Sequence, residues 1–145
     1  MKIKDVMTTD VSIARPDQSI CEAAQMMAEC DSGVLPVGED DRLVGMITDR
    51  DIAIRAVAKD LPPDTPVREV MSKEVLYCFE DEALEHVADN MGEQQVRRLP
   101  VLNREKRLVG ILSLGDLATV AKPKTSGQAI AAISRPGGAH DQTLH

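Results

Sequence analysis

Leu35-Pro36-Val37, then Arg42-Leu43-Val44-Gly45, then Thr48-x-x-Asp51 form a stretch that returns later in the chain. Its second appearance is Leu99-Pro100-Val101, Arg107-Leu108-Val109-Gly110 and Ser113-x-x-Asp116. The offset is 64 residues at the first motif (35 to 99) and 65 at the second (42 to 107), so one residue enters the intervening loop of the second copy. Further out, Val6-Met7 is answered by Val70-Met71 at the offset of 64. Matches in one order with a single loop insertion mark a tandem duplication, and a repeat governs architecture before local propensity does.

Each copy predicts the same elements. An extended piece lies near residues 11–14 and 75–79. A helix follows: Ser19-Ile20-Cys21-Glu22 reads as a capping box, with Ile20, Ala23, Ala24 and Met27 on one face. In the second copy Asp81 is the expected cap of a helix whose Leu84, Val87, Ala88 and Met91 recur at helical spacing. Two apolar runs, 34–37 with 43–47 and 99–102 with 108–112, suit strands covered on both faces. A second helix closes each copy, near residues 50–58 and 114–121. The order is β-α-β-β-α, twice, a mixed α/β (α+β) class. The prolines of DLPPDTP, residues 60–66, cannot continue a helix, so this stretch is the expected hinge. The expected domains are therefore 1–61 and 67–122, a linker at 62–66 and a polar tail at 123–145. Within the tail only residues 128–134 have helical character, too short a piece to be stable alone.

With 145 residues, a folded chain buries roughly 70% of its unfolded surface, enough for a core without disulfides or metal. The chain holds one Tyr, one Phe and no Trp, which argues against an aromatic platform for stacked bases. Its 24 acids against 17 bases, a net charge of -7, remove phosphate-backbone attraction as a default, so nucleic acid is not an expected partner. The methionines Met26, Met27, Met46 and Met91 read as core filler in place of the missing aromatics. Cys21, Cys30 and Cys78 show no C-x-x-C spacing, and on one helix Cys21 and Cys30 would stand about 13 Å apart, beyond disulfide reach. Their place on a core-facing helix predicts inert packing rather than redox sensing. The three histidines are scattered, so no metal site is expected. The opening MKIKDVMTTD lacks a signal peptide's apolar stretch, and no run approaches a membrane span. The expectation is a soluble, cytoplasmic protein with no membrane contact.

The chemistry concentrates at the end of the third strand of each copy. Gly45-Met46-Ile47-Thr48-Asp49-Arg50-Asp51 and Gly110-Ile111-Leu112-Ser113-Leu114-Gly115-Asp116 share Gly, two apolar residues, Thr or Ser, then Asp three residues on. A strand running into a helix N-terminus offers free N–H groups and positive partial charge. A hydroxyl there suits a phosphate or sugar oxygen, and a carboxylate suits ribose hydroxyls. The same spacing also makes a capping box with Asp in place of Glu, and spacing alone leaves both readings open. Asp49 with Asp51 is a weak magnesium candidate beside a nucleotide.

On these motifs, in register over roughly residues 1–121, the chain resembles a tandem pair of cystathionine β-synthase (CBS) domains, of the small stand-alone bacterial type. The resemblance implies two βαββα folds packed as a pseudo-two-fold pair and a flat, disc-like homodimer. It also implies regulation rather than catalysis, through adenosine-containing ligands: AMP, ADP or ATP, or S-adenosylmethionine or NAD, with no required cofactor. By this resemblance Thr48 and Asp51 share a cleft with Tyr77, Val96, Arg97 and Arg98. Ser113 and Asp116 share another with residues 11–14, Val11 among them, and with Ser32 and Val34. Arg50 is a candidate second phosphate contact, which the charge of Asp49 beside it opposes. Arg97-Arg98 stands where the first copy has Gly33-Val34, and guanidinium forks suit phosphate oxygens, so the Asp51 cleft is expected to prefer charged nucleotides and the Asp116 cleft to bind weakly or take adenosine-like groups.

The expected function is an adenylate sensor that reports to an unidentified regulated protein; the competing one is a ligand-independent dimerisation scaffold. An enzyme is not expected, because neither Cys78 nor His86 has a base and orienter, and no Gly-rich phosphate loop is present.

Overall fold

The computed structural model of the chain describes residues 1–120 and 123–136. They form two compact units. The first holds Ser12–Val75 with Lys106–Leu108; the second holds Met1–Val11, Leu76–Glu105 and the described residues from Val109 onward.

In the first unit, α1 (Ile20–Cys30) starts where Ser19 accepts the Glu22 N–H at 3.0 Å. Only half of the expected capping box forms: the Glu22 carboxylate takes the Ser19 hydroxyl at 3.4 Å. The Ser19 N–H is not its partner. Ile20, Ala23 and Met27 face the core, whereas Ala24, assigned to that face from the sequence, is exposed. Cys21 and Cys30 also point outward, which corrects their expected burial. The segment 60–66 is a packed loop at the head of α1. Thr65 and Pro63 carbonyls accept the Ile20 and Cys21 N–H groups at 2.9 and 3.1 Å, satisfying donors that a helix start leaves orphaned.

Strands β1 (Val34–Glu39) and β2 (Arg42–Thr48) are antiparallel, with Val34 opposite Thr48. The turn between them puts Asp40 and Asp41 in left-handed backbone, φ 53° and 63°, a region Asp tolerates. β1 is buried from Val34 to Gly38. β2 instead alternates, with Gly45 and Ile47 buried between half-buried neighbours, so two-sided cover holds for one strand of the pair only. Helix α2 opens as an α turn (Asp49–Asp51), widens into a π turn (Ile52–Ala56) and closes in a 3-10 turn (Val57–Lys59).

In the second unit, β3 (Cys78–Phe79) pairs in parallel with β4 (Arg98–Leu102), whose other neighbour is β5 (Leu108–Ser113). The first copy has only a bridge of Ala14 to Val37 at the matching place. Proline explains the difference. Glu80 N–H extends the second copy's ladder to the Leu102 carbonyl at 2.9 Å, and Pro16, its counterpart (16 to 80), has no N–H to give. Helix α3 (Leu84–Gln94) buries Leu84, Val87, Ala88 and Met91 as its periodicity predicts. Asp81 is not its cap. Ala83 occupies the N-cap, the Met1 carbonyl accepts the Leu84 N–H at 3.0 Å, and Asp81 is drawn away to Arg104 at 2.8 Å.

Helices α4 (Leu114–Val120) and α5 (Pro123–Ile133) follow. The expected polar tail is thus helical through Ile133. Ala129 and Ile133 are buried, and Gly92 of α3 lies so near that a Cβ on it would stand 3.0 Å from the Ala132 methyl. The Gln95 amide donates to the Ala132 carbonyl at 3.2 Å and to that of Arg135. Packing supplies what a short helix lacks by itself. Residues 137–145 of the tail lie outside the described residues. Among those described, no helix is long and apolar enough to cross a membrane.

The two cores exchange their openings. Ile3, fully buried with Val6 and Met7 against it, belongs to the core of Leu84, Val87, Met91, Val101 and Leu112. Val67, Val70 and Met71 belong to the core of Ile20, Ala23, Leu35 and Ile47. Each repeat's Val-Met opening therefore completes the other repeat's core.

Candidate functional site

In the first unit, the strand-to-helix corner is built by a reciprocal pair of bonds. Asp51 N–H donates to Thr48 Oγ1 at 3.0 Å, and Thr48 N–H donates to Asp51 Oδ2 at 3.0 Å. The corner of the second unit repeats this: Asp116 N–H to Ser113 Oγ at 3.1 Å, and Ser113 N–H to Asp116 Oδ2 at 2.9 Å. Both are complete capping boxes, yet neither exhausts its polar atoms. The hydroxyl, having accepted, still has a proton to donate. The carboxylate, having committed Oδ2, still has Oδ1 to accept. Each half-buried corner can thus offer one donor and one acceptor to a ligand with adjacent oxygens.

The loop before β1 closes on the first corner. Asp49 N–H donates to the Gly33 carbonyl at 2.9 Å, and the Asp49 carboxylate lies where a Cβ on Gly33 would sit, 2.7 Å from Oδ2. Asp49 Oδ1 accepts the Arg50 N–H at 2.8 Å, so Asp49 and Asp51 serve separate local bonds. Ser32 is turned inward to the Val34 carbonyl at 3.0 Å. The second corner has the matching backbone bond, Leu114 N–H to the Arg97 carbonyl at 2.8 Å. Here Arg97 replaces Gly33 and Leu114 replaces Asp49, which turns an acidic rim into a basic one. Arg97 and Arg98 are exposed, and among the described residues neither side chain forms an ion pair. Val96 is partly buried against the core. Val11 lies three residues beyond Thr8, whose backbone bridges Ile111 of β5 in both directions at 2.9 Å.

The first unit therefore brings together Thr48, Arg50, Asp51, Ser32 and Val34. The second gathers Ser113, Asp116, Val96, Arg97 and Arg98. Tyr77 belongs to the second unit and is 42% exposed, standing edge-on to Phe79 with ring centres 5.6 Å apart. Arg104 lies over the other ring at 4.2 Å and pairs with Asp81. Hydrogen bonding to Arg104 holds the Asp81 carboxyl below the usual carboxylate range.

One residue of the first corner went unnoticed in the sequence. Arg55 Nε stands 3.8 Å from Asp51 Oδ1, and its Nη1 donates to the Val70 and Met71 carbonyls at 3.3 and 3.5 Å. Its i,i+4 spacing from Asp51 was the available signal. Cys78 is the reverse of an activated nucleophile: burial, with the nearby Glu82 charge, pushes its thiol up to about 12. Among the described residues, the hydrogen-bond partner of His86 is Asn90, at 3.3 Å. Among the described residues no group of three or more His, Cys, Asp and Glu side chains could hold a metal.

A family model for the CBS domain matches residues 3–57 and again residues 67–122. A CBS domain-containing protein of Bacillus subtilis, YhcV, is 43% identical over 133 residues, covering 91% of this chain and 94% of its own. Among solved structures, the CBS domain pair of protein MJ0100, in complex with 5′-methylthioadenosine and S-adenosylmethionine, is 30% identical with a TM-score of 0.73. It covers 83% of this chain and 94% of its own. The protein CBSX2, in complex with AMP, is 27% identical at the same TM-score, covering 83% and 95%.

Proposed function

The chain belongs to the CBS domain family, with two copies in tandem, and on that premise we propose that it is a regulatory sensor of adenosine-containing ligands. Thr48 and Asp51 in one unit, and Ser113 and Asp116 in the other, take ribose oxygens. Arg50 in the first unit, and Arg97 and Arg98 in the second, meet phosphate, so AMP, ADP or ATP are preferred over the uncharged 5′-methylthioadenosine. Val11, Ser32, Val34, Tyr77 and Val96 supply the surfaces around the adenosine. The protein acts as a homodimer on a regulated partner in the cytoplasm and carries out no catalysis itself; ligand occupancy shifts its conformational population.

The observation that carries this reading is the hydroxyl proton and the Oδ1 that neither cap uses, Asp51 Oδ1 standing 3.8 Å from Arg55 Nε, beyond hydrogen-bond distance. A cap needs neither, whereas a ribose diol uses both. The relatives bound to AMP, 5′-methylthioadenosine and S-adenosylmethionine support the ligand class.

Substituting Asp51 by Asn tests it without dismantling the cap. The amide oxygen still accepts the Thr48 N–H, but the second atom turns from acceptor to donor. A thermal-shift panel of AMP, ADP, ATP, S-adenosylmethionine and NAD at about 1 mM reads the outcome. A ligand with Kd near ~10 μM stabilises by roughly 2.7 kcal/mol, several degrees in a chain this size. The shift is expected in the wild type, absent or sharply reduced in Asp51→Asn, and weakened for phosphate-bearing ligands in Arg97→Ala. A flat panel on folded protein stripped of nucleotide overturns the sensor in favour of the ligand-independent scaffold.

A further inference from the structure

We infer that Arg55 couples a ligand at Asp51 to the opening segment of the second repeat, so that this corner alone transmits its occupancy; the inference rests on the ligand reading of Asp51. The contacts close a ring within the first unit. Asp51 Oδ1 faces Arg55 Nε at 3.8 Å, and Arg55 Nη1 donates to the Val70 and Met71 carbonyls. Ser72, next in the chain, exchanges both backbone bonds with Met46 of β2, at 2.8 and 3.0 Å. Met46 stands two residues before Thr48, whose N–H returns to Asp51. Arg55 is the member that joins the two ends.

The acceptors divide its guanidinium between two tasks. Without ligand, Asp51 Oδ1 competes with the two carbonyls for the same cation. A sugar hydroxyl donated to Oδ1 satisfies that oxygen, and the guanidinium settles on Val70 and Met71, tightening the segment that packs over β2. Among the described residues the second corner shows no such link, and its matching position in the sequence is Val120 (55 to 120). The π turn that carries Arg55, Ile52–Ala56, is likewise missing from α4, which is α-helical from Leu114 to Val120. Single π turns inside helices recur at functional places.

Hydrogen exchange on the full chain reads the coupling at the Ser72 and Met46 amides, with AMP and 5′-methylthioadenosine as probes. In the wild type either probe is expected to raise protection at both amides. In Arg55→Met, exchange without ligand should be faster by about tenfold, the worth of a charge-assisted hydrogen bond of ordinary strength. With the competing cation gone from Asp51 Oδ1, the probes should bind that variant at least as tightly as the wild type and no longer alter exchange at Ser72. Arg55→Lys keeps the charge beside Asp51 but not the fork, and should also lose the ligand response. A ligand response that persists in Arg55→Met overturns the coupling, as does wild-type exchange in the ligand-free variant. Lost affinity in the variant overturns it too, by making Arg55 a direct contact. Failure of both probes to bind the wild type overturns the ligand reading instead, and the ligand-free arm still reports whether Arg55 holds the segment.

Discussion

At the scale of single residues, the repeated Val-Met and Leu-Val-Gly motifs turn out to be one contact. A Cβ on Gly45 would lie 2.6 Å from Met71 Sδ and 2.8 Å from the Ser72 carbonyl oxygen; on Gly110 it would lie 2.8 Å from both Met7 Sδ and the Thr8 oxygen. The sulfur could yield, but the backbone oxygen cannot without moving the Thr8 or Ser72 bridge. Gly45→Ala and Gly110→Ala should each cost about 1–3 kcal/mol in urea unfolding, the usual range for overfilling a packed site. Asp81 gives a second expectation. Its pKa is depressed in the folded chain, so its contribution is present above the ordinary carboxylate range and is lost as pH falls through the lowered value. In an NMR titration Arg104→Met should move the Asp81 midpoint upward, back to that ordinary range. The Thr-x-x-Asp corner was legible in the sequence because a capping box is local. Arg55 was not, because its carbonyl partners lie 15 and 16 residues away, across the proline loop.

At the scale of elements, the sequence pattern found both long helices of the repeats by their periodicity and the four longer strands by their continuous apolar runs. What it missed depended on a partner. Burial of α5 needs the notch at Gly92, and the start of α3 needs the Met1 carbonyl; neither leaves a mark on the helix it serves. The expected Asp81 cap failed for that reason. Substituting Gly92 by Val should drive side-chain carbon into Ala132 and lower the thermal midpoint of the chain. Ending the chain after Lys122 should lower it as well, by uncovering the core that Ala129 joins. Both are read by circular dichroism. If the shortened chain melted with the full one, α5 would be a passive appendage despite its buried face.

At the scale of the whole molecule, the duplication was legible and the exchange was not. A repeat in sequence announces two similar cores but says nothing about which opening fills which core. The exchange makes a prediction about pieces. A fragment of residues 67–136 keeps the second repeat's helices and strands but lacks Ile3, Val6 and Met7, and it should be far less stable than the full chain. A peptide of residues 1–11 added in excess should restore part of its helical signal, and a peptide with Ile3 replaced by Asp should not, because that position is fully buried among apolar side chains.

The crossed openings also bear on descent. A gene that encoded one repeat would yield a chain whose first ten residues have no home in their own core, while that core lies open. Two such molecules could trade openings around a symmetry axis and close both cores at once. Fusing the two genes end to end would keep the trade and confine it to one polypeptide, where a short connecting loop holds the reciprocal segment at an effective concentration of about millimolar. From that moment the halves are free to diverge. An arginine can appear at 97 where its twin keeps glycine at 33, and a second at 55 where its twin keeps valine at 120. Neither change has to satisfy both halves of a symmetric pair, and so two corners of one origin can come to carry unlike charge.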